Sequence, residues 1–447
     1  MNVTSVVCAG CGHVAPPDEP YPFRCPNASP GDDIDHVLAR ELDPTHVGFP
    51  DDDEPNPFVR YRELFHSYHL GRRHGLSDGD YVDLVERLDK AVAEVDGRGF
   101  TVTPFFRSDV LSEHLGFSGE GGVWVKDETG NVSGSHKARH LMGVMVHLLV
   151  AEQAGLVPDG DRPDLAIASC GNAALAAAVV ARAAERTLKV FVPTWADPKV
   201  IAGLEELGAR IEVCPREEGV AGDPAYLGLK EALAAGALPF TVQGGDNGLA
   251  IEGGETLGYE MISSLVSTDA TLTGLVVQVG GGALASSCIR AFEDAALLEA
   301  PAALPRVHTV QTRGAHPLKR AYDLVRERIG EPESPAAIVE GMRYARTHRS
   351  EFMWPWEEEP KSIATGILDD ETYDWADVVS GMLATDGSAL VVSEETLAEA
   401  NTLAREATGI DVDPTGSAGL AGLLELVRTG KVASDERIAV LFTGIRR

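Results

Sequence analysis

Gly134-Ser135-His136-Lys137-Ala138-Arg139 joins two patterns. Ahead of it runs a short apolar strand, Val123-Trp124-Val125, and behind it a long apolar stretch with helical spacing. A lone lysine there would read as a solvated surface residue, because lysines are seldom fully buried. Three other segments, each just after a predicted strand, change that reading. Ser169-Cys170-Gly171-Asn172 follows residues 165–168, Gly280-Gly281-Gly282-Ala283-Leu284 follows residues 275–279, and Thr443-Gly444 follows residues 438–442. A lysine at such a strand-to-helix junction is placed for burial near a helix N-terminus, which lowers its pKa towards the neutral, nucleophilic amine.

The glycine segment allows backbone amides to approach an anion at the head of a helix. Alone it is ambiguous, because Gly280-x-Gly282-x-x-Ala285 also fits a dinucleotide fingerprint. Its late position in the chain, and the company of Lys137 and Asn172, favour a phosphate of another kind.

From about residue 100 onward, short β-branched strands alternate with helical patterns at 173–184, 198–207 and 283–297. That alternation predicts parallel sheets built from βαβ units. Residues 330–365 read as an irregular surface excursion. At the other end, Cys8-Ala9-Gly10-Cys11-Gly12-His13 is a knuckle of the kind zinc uses, and Cys25 offers a third thiolate. Ala28 stands where a fourth Cys would fall, so His13, His36 or an Asp would have to complete a site; a metal-free remnant is the alternative.

The four spaced motifs, in this order, resemble the fold-type II pyridoxal-phosphate (PLP) enzymes: threonine synthase, the serine/threonine dehydratases and the tryptophan synthase β chain. The resemblance spans roughly residues 100–447. It implies two parallel-sheet α/β domains with the cofactor between them, plus a short N-terminal Cys-rich segment. The expected division is a zinc-ribbon-like segment at 1–45, a helical extension at 46–105 and a PLP-binding region at 106–447, with a smaller mobile subdomain at about 135–245. It further implies Lys137 as Schiff-base lysine and proton shuttle, and His136 beside the cofactor. Asn172 would bind the cofactor 3′ oxygen, Gly280, Gly281, Gly282, Ala283 and Leu284 its phosphate, and Thr443 its pyridine nitrogen, with Thr415 as a competitor for that last role. Ser169, Cys170 and Gly171 would hold the substrate carboxylate, and Ser135 would lie on the substrate side. Cys8, Cys11 and Cys25 would carry a structural zinc.

On the reaction the motifs divide. Residues 251–260, Gln311, 314–317 and 362–367 are similar to threonine synthases. Ala138, where those enzymes usually carry Asp, the Lys-x-Arg order and the triple glycine look more like the dehydratases. The expectation is a PLP-dependent lyase on a threonine synthase-like scaffold. It would act on a small polar amino acid by β-elimination, or by β-replacement through an aminoacrylate. The alternative is threonine synthase acting on O-phosphohomoserine, for which Lys126, Arg139 and Ser135 are the candidate phosphate ligands. A non-catalytic binding protein and an NAD-dependent oxidoreductase are the readings from other classes, and the intact set of motifs argues against both.

A net charge of −31 over 447 residues disfavours nucleic acid and anionic lipid as partners. No apolar run approaches the roughly 20 residues of a membrane span. The first residues, Met1-Asn2-Val3-Thr4-Ser5, lack the regions of a signal peptide. The chain is therefore expected to be cytoplasmic, and by resemblance a homodimer. Six cysteines are too few for a disulfide scaffold of this length.

Overall fold

The structure, a computed structural model, describes residues 3–158, 160, 162–216, 222–330 and 334–447. Its strands are β1 (Thr4–Cys8), β2 (Leu38–Leu42), β3 (Phe105–Ser108), β4 (Gly122–Asp127), β5 (Leu165–Ala168), β6 (Leu188–Pro193), β7 (Arg210–Cys214), β8 (Leu238–Pro239), β9 (Gly274–Gln278), β10 (Arg306–Thr312), β11 (Ala389–Val392) and β12 (Arg437–Phe442). They form an antiparallel hairpin β1-β2, a six-stranded sheet ordered β11-β10-β9-β12-β4-β3, and a four-stranded sheet ordered β7-β6-β5-β8. The four-stranded sheet is parallel throughout, and the larger one is parallel except where β3 runs against β4. The expected α/β class with two parallel sheets is what the chain builds.

The reason lies in the strands' composition. Leu275, Val276 and Val277 in β9, and Ile438 to Phe442 in β12, are buried to the last residue. Strands apolar on both faces need helices above and below, and that is the setting of a parallel sheet. The helix Lys137–Gln153 is likewise buried on most of its circumference and serves as a core element. It crosses the wholly buried first three turns of the helix Ala250–Ser267.

Ahead of the sheets, the helix Asp78–Asp96 opens on a reciprocal cap. The Ser77 hydroxyl accepts from the Asp80 amide at 3.1 Å, and the Asp80 carboxylate accepts from the Ser77 amide at 2.7 Å. Gly97, at φ 82°, ends it.

The segment 330–365 departs from expectation. It contains a helix, Pro335–Thr347, started by the Ser334 hydroxyl. Met342, Ala345, Phe352, Met353 and Ala364 from this segment are buried. Its polar, proline-flanked character hid an amphipathic face that docks on the molecule. Among the described residues no helix is long and apolar enough to cross a membrane.

Candidate active site

The four motifs follow the carboxyl ends of β5, β9 and β12 and the loop after β4, and this region is the candidate cleft, because open α/β sheets bind ligands at strand carboxyl ends. The stitching begins at Lys137 itself. Ser135 pairs with Gly444 in an isolated bridge, and the His136 amide donates to Thr443 O at 3.2 Å. Lys137 thus opens its helix one step from the end of β12. The turn that brings it there is tight: Ser133 sits at φ 53° and Gly134 at φ 65°. A Cβ at Gly134 would lie 2.5 Å from Ile445 Cγ2.

Desolvation pulls the Lys137 amine below the ordinary lysine value, opposed by the carboxyls of Asp369 and Asp374. A lysine so placed holds a larger neutral fraction than a surface one. Two histidines flank it, and both are kept neutral, mainly by burial; His140 is pushed down to about 3. His136 Nδ1 lies 3.3 Å from Thr443 O, and His140 Nδ1 lies 2.8 Å from Ala250 O. A carbonyl only accepts, so each Nδ1 carries the proton and each Nε2 offers a lone pair. Both Nε2 atoms, with Ser135 Oγ and Ser286 Oγ, are buried and have no partner among the described residues. Orphaned polar atoms of this kind around one lysine mark a ligand's place.

The helix Asn172–Ala183 has no side-chain cap; Gly171 stands at its N-cap. Its first-turn amides are free to meet an anion. Ser169 Oγ accepts weakly from the Gly171 amide at 3.4 Å. Arg447 Nε donates to Asn172 Oδ1 at 3.2 Å, which turns Nδ2 the other way, to 2.9 Å from the Cβ position of Gly444. Burial raises the Cys170 thiol to about 11, so it stays protonated and acts as a packing group.

The glycine loop is shaped by the segment 369–374. A side chain at Gly280 would strike Asp369 Oδ2 at 2.3 Å, and one at Gly281 would reach Tyr373 at 2.9 Å. Gly282, at φ 101°, then starts the helix Ala283–Leu297 with no side-chain cap. The Asp369 carboxyl accepts from the Gly281 amide; burial raises it to about 6 although Lys137 pulls it down. Among the described residues no backbone carbonyl takes the amides of Gly282, Ala283 or Leu284. Uncapped donors at a helix head fit a phosphate, and the unbonded lysine beside them fits an aldehyde, so these residues suit PLP.

Thr443 lies 2% exposed at the end of β12, where its Oγ1 accepts from Gln278 Nε2 at 2.8 Å. Thr415 is drawn elsewhere: its hydroxyl accepts from the Gly366 amide at 3.0 Å. Lys126 and Arg139 also fall outside the cleft. They form a fully buried ion network with Glu128 and Glu260, at 2.5 Å from Lys126 to Glu260 and 2.6–2.7 Å from Arg139 to the two carboxylates.

In the N-terminal lobe, Cys8, Cys11, Cys25 and His36 bring their ligand atoms within 4.8 Å of one another. Cys11 and Cys25 sulfurs are 3.6 Å apart, and Cys8 Sγ lies 3.4 Å from His36 Nδ1. Tetrahedral zinc with bonds of about 2.3 Å requires sulfurs about 3.8 Å apart, so the set has the right size. His36 Nε2 faces Asp32 at 3.5 Å, the outer carboxylate that ligating histidines use. Of the candidates for the fourth position, His36 joins the thiols and His13 does not.

Gln278, Arg447 and Asp369 escaped the sequence reading. Gln278 could have been noticed as the polar end of an otherwise apolar strand. Arg447 and Asp369 meet the site only through the tertiary fold.

Residues 98–444 match the family described as pyridoxal-phosphate dependent enzyme, and the chain belongs to that family. Among curated proteins it is 27% identical to the threonine synthase of Methanosarcina acetivorans over 349 residues, 76% of this chain and 74% of that one. It is 25% identical to the cysteate synthase of Methanospirillum hungatei over 350 residues, with the same two shares. Among solved structures it resembles diaminopropionate ammonia lyase from Escherichia coli, with a TM-score of 0.59 at 16% identity over 81% of this chain and 88% of that one. The processed threonine deaminase isoform 2 of Solanum lycopersicum gives 0.58 at 17% identity over 83% and 91%. The protein is therefore a PLP-dependent enzyme, similar in sequence to threonine synthases and in fold to an ammonia lyase and a threonine deaminase.

Proposed function

We propose that the enzyme is a lyase acting on a small polar amino acid by β-elimination or β-replacement. The observation that carries this reading is the charge set around Lys137. Among the described residues the charged groups acting on its amine are the carboxyls of Asp369 and Asp374, and Lys126 and Arg139 are neutralised in the core. A phosphorylated side chain needs cationic partners, and this arrangement suits a small neutral or cationic one better.

When bound, PLP supplies the electron sink that makes the substrate Cα proton removable. Lys137 would hold the cofactor, and its amine is the group placed to take that proton. The amides at 282–284 would hold the phosphate, Asn172 Nδ2 the 3′ oxygen and Thr443 the ring nitrogen. The first-turn amides at Asn172, with Ser169, hold the substrate carboxylate. His136 and the Ser135 hydroxyl line the remaining wall.

A second reading, threonine synthase, is favoured by the curated relatives of that name. The two are separated by the visible spectrum and products of the purified enzyme as amino acids and O-phosphohomoserine are added singly. A serine-like substrate yielding a 2-oxo acid and ammonia supports the first reading, and Lys137→Ala abolishes both the cofactor band and turnover. Threonine formed from O-phosphohomoserine overturns it.

The proposal extends to a structural zinc held by Cys8, Cys11, Cys25 and His36, supported by their spacing. By resemblance alone it also includes a homodimer, and it keeps the cytoplasmic location expected from the sequence.

A further inference from the structure

Gln278 is a polar side chain where an aliphatic one would be expected, at the end of a strand buried throughout. It is 3% exposed, and a buried amide is costly unless bonded. Its Nε2 lies 2.9 Å from Gly416 O, 3.2 Å from Leu441 O and 2.8 Å from Thr443 Oγ1, so its two N–H groups are shared among three acceptors. The two carbonyls accept only, so the NH2 end of the amide must face this way. An amide nitrogen accepts nothing, so Thr443 Oγ1 is the acceptor of that third contact. The hydroxyl's own proton is therefore free to point in another direction, and among the described residues it has no acceptor. The neighbouring Thr443 carbonyl is already engaged by His136, through its amide and its ring.

We propose that Gln278 is a positioning residue that fixes the Thr443 hydroxyl as a donor towards the ring nitrogen of the cofactor, and so keeps that nitrogen unprotonated. This rests on the reading of Thr443 as the residue facing that nitrogen. The device acts through direction. Gln278 touches neither substrate nor cofactor; it removes the alternative in which Thr443 presents a lone pair to a protonated ring. An unprotonated ring is the weaker electron sink, which suits elimination over transamination. The amide oxygen of Gln278 has no partner among the described residues and lies 3.0 Å from the Cβ position of Gly419. A side chain serving packing alone would not strand it there.

The test is the 15N chemical shift of the ring nitrogen in enzyme loaded with 15N-labelled PLP, for wild type, Gln278→Glu and Gln278→Met. Thermal melting of each variant is followed with and without cofactor. In wild type the shift is expected at the unprotonated value. Gln278→Glu, which offers an acceptor to Thr443 and reverses the hydroxyl, moves it to the protonated value. The transamination-to-elimination ratio then rises about tenfold, the factor that one pKa unit represents. Gln278→Met, which frees the rotor without reversing it, gives an intermediate shift and shows that the effect of Glu is not general damage. A protonated ring in wild type, or the wild-type shift in a folded Gln278→Glu, overturns the proposal while leaving the PLP reading intact. Failure of wild type to form a Lys137-dependent cofactor band overturns both.

Discussion

Arg447 shows how much of the site is decided by single directions of bonding. A guanidinium only donates, so its contact with Asn172 fixes which end of that amide is Oδ1 and which faces the cleft. Its second hand holds Ser133 O at 2.5 Å, on the strained turn that delivers Lys137. A non-glycine residue at φ 53° costs on the order of 1 kcal/mol, and such strain persists only where neighbours enforce it. Arg447→Ala removes both restraints. The expected result is PLP bound several-fold more weakly, with little change in melting temperature because Arg447 is exposed. A cofactor titration followed by absorbance checks it, and unchanged affinity would remove Arg447 from the site. Sequence reading could find Lys137, Asn172 and Thr443 because each sits in a local motif after a strand. It could not find Arg447 or Asp369, which reach their partners across 275 and 88 residues of chain.

At the scale of elements, the helix carrying Lys137 is set by how closely it approaches the helix Ala250–Ser267. A Cβ at Gly143 would stand 2.8 Å from Gly253 Cα, and a Cβ at Gly253 would stand 2.1 Å from Arg139 O. The two glycines allow backbone to lie on backbone. This explains physically why Gly143 and Gly253 occur inside these helices, where glycine otherwise costs about 1 kcal/mol. Beside the crossing, Arg139 and Lys126 are matched by Glu128 and Glu260. Burial alone would raise the Glu260 carboxyl, but the two cations more than reverse it and hold it below the usual range. Gly253→Ala forces the helices apart, with an expected loss of about 3 kcal/mol. It also moves Lys137, so kcat falls more than the unfolding midpoint predicts. Equal stability in denaturant titration would contradict this packing argument. The long regular elements are legible from periodicity: the helix expected at 283–297 is the helix Ala283–Leu297. The hairpin β1-β2 and the helix Pro335–Thr347 were not, because their apolar faces are short and are completed only by the surface they dock on.

Across the whole molecule, buried titratable groups of two signs bound the range of stability. His147 is pushed down to about 4 by burial, and His66 and His136 also lie below the ordinary value. For these the unfolded chain binds more protons, so stability is complete above about pH 6.5 and is lost as pH falls towards 4. His147 alone then accounts for about 3 kcal/mol at the low end. Glu252 has the opposite sign. Burial raises it to about 8, because Arg40 is shared with Glu255 and Asp294 and one guanidinium cannot satisfy three carboxylates. Here the native state binds more protons, so stability falls as pH rises from about 4.5 through 8. The expected profile peaks near pH 6. His147→Gln, which retains a donor for Pro20 O, flattens the acid limb; an unchanged limb in urea titrations from pH 7 to 4.5 would refute the assignment.

The N-terminal lobe is tied to the active site by a chain of polar contacts, and that gives the metal a consequence at distance. Gly10, inside the Cys8–Cys11 knuckle, is pressed on Asp35 O, where a Cβ would be 2.4 Å away. The Asp35 amide donates to Arg346 O at 2.7 Å, and the Arg349 amide donates to Asp33 O at 2.9 Å. Arg349 then bridges Asp35, at 3.4 Å, and Glu371. Glu371 belongs to the segment whose Asp369 accepts from Gly281 in the phosphate loop. If Cys8, Cys11, Cys25 and His36 hold zinc, removing it releases residues 32–36 and loosens the hold on 369–374. Chelation, or Cys25→Ser, is therefore expected to lower the melting temperature by on the order of 5 °C. It also weakens PLP binding several-fold, although no zinc ligand lies in the cleft. Cys214→Ser, which alters a cysteine outside the cluster, leaves both unchanged. Metal content by mass spectrometry and the two titrations decide it. Protein purified without metal, melting and binding cofactor as before, would make the four residues a packed cluster and confine the lobe's contribution to its hydrogen bonds.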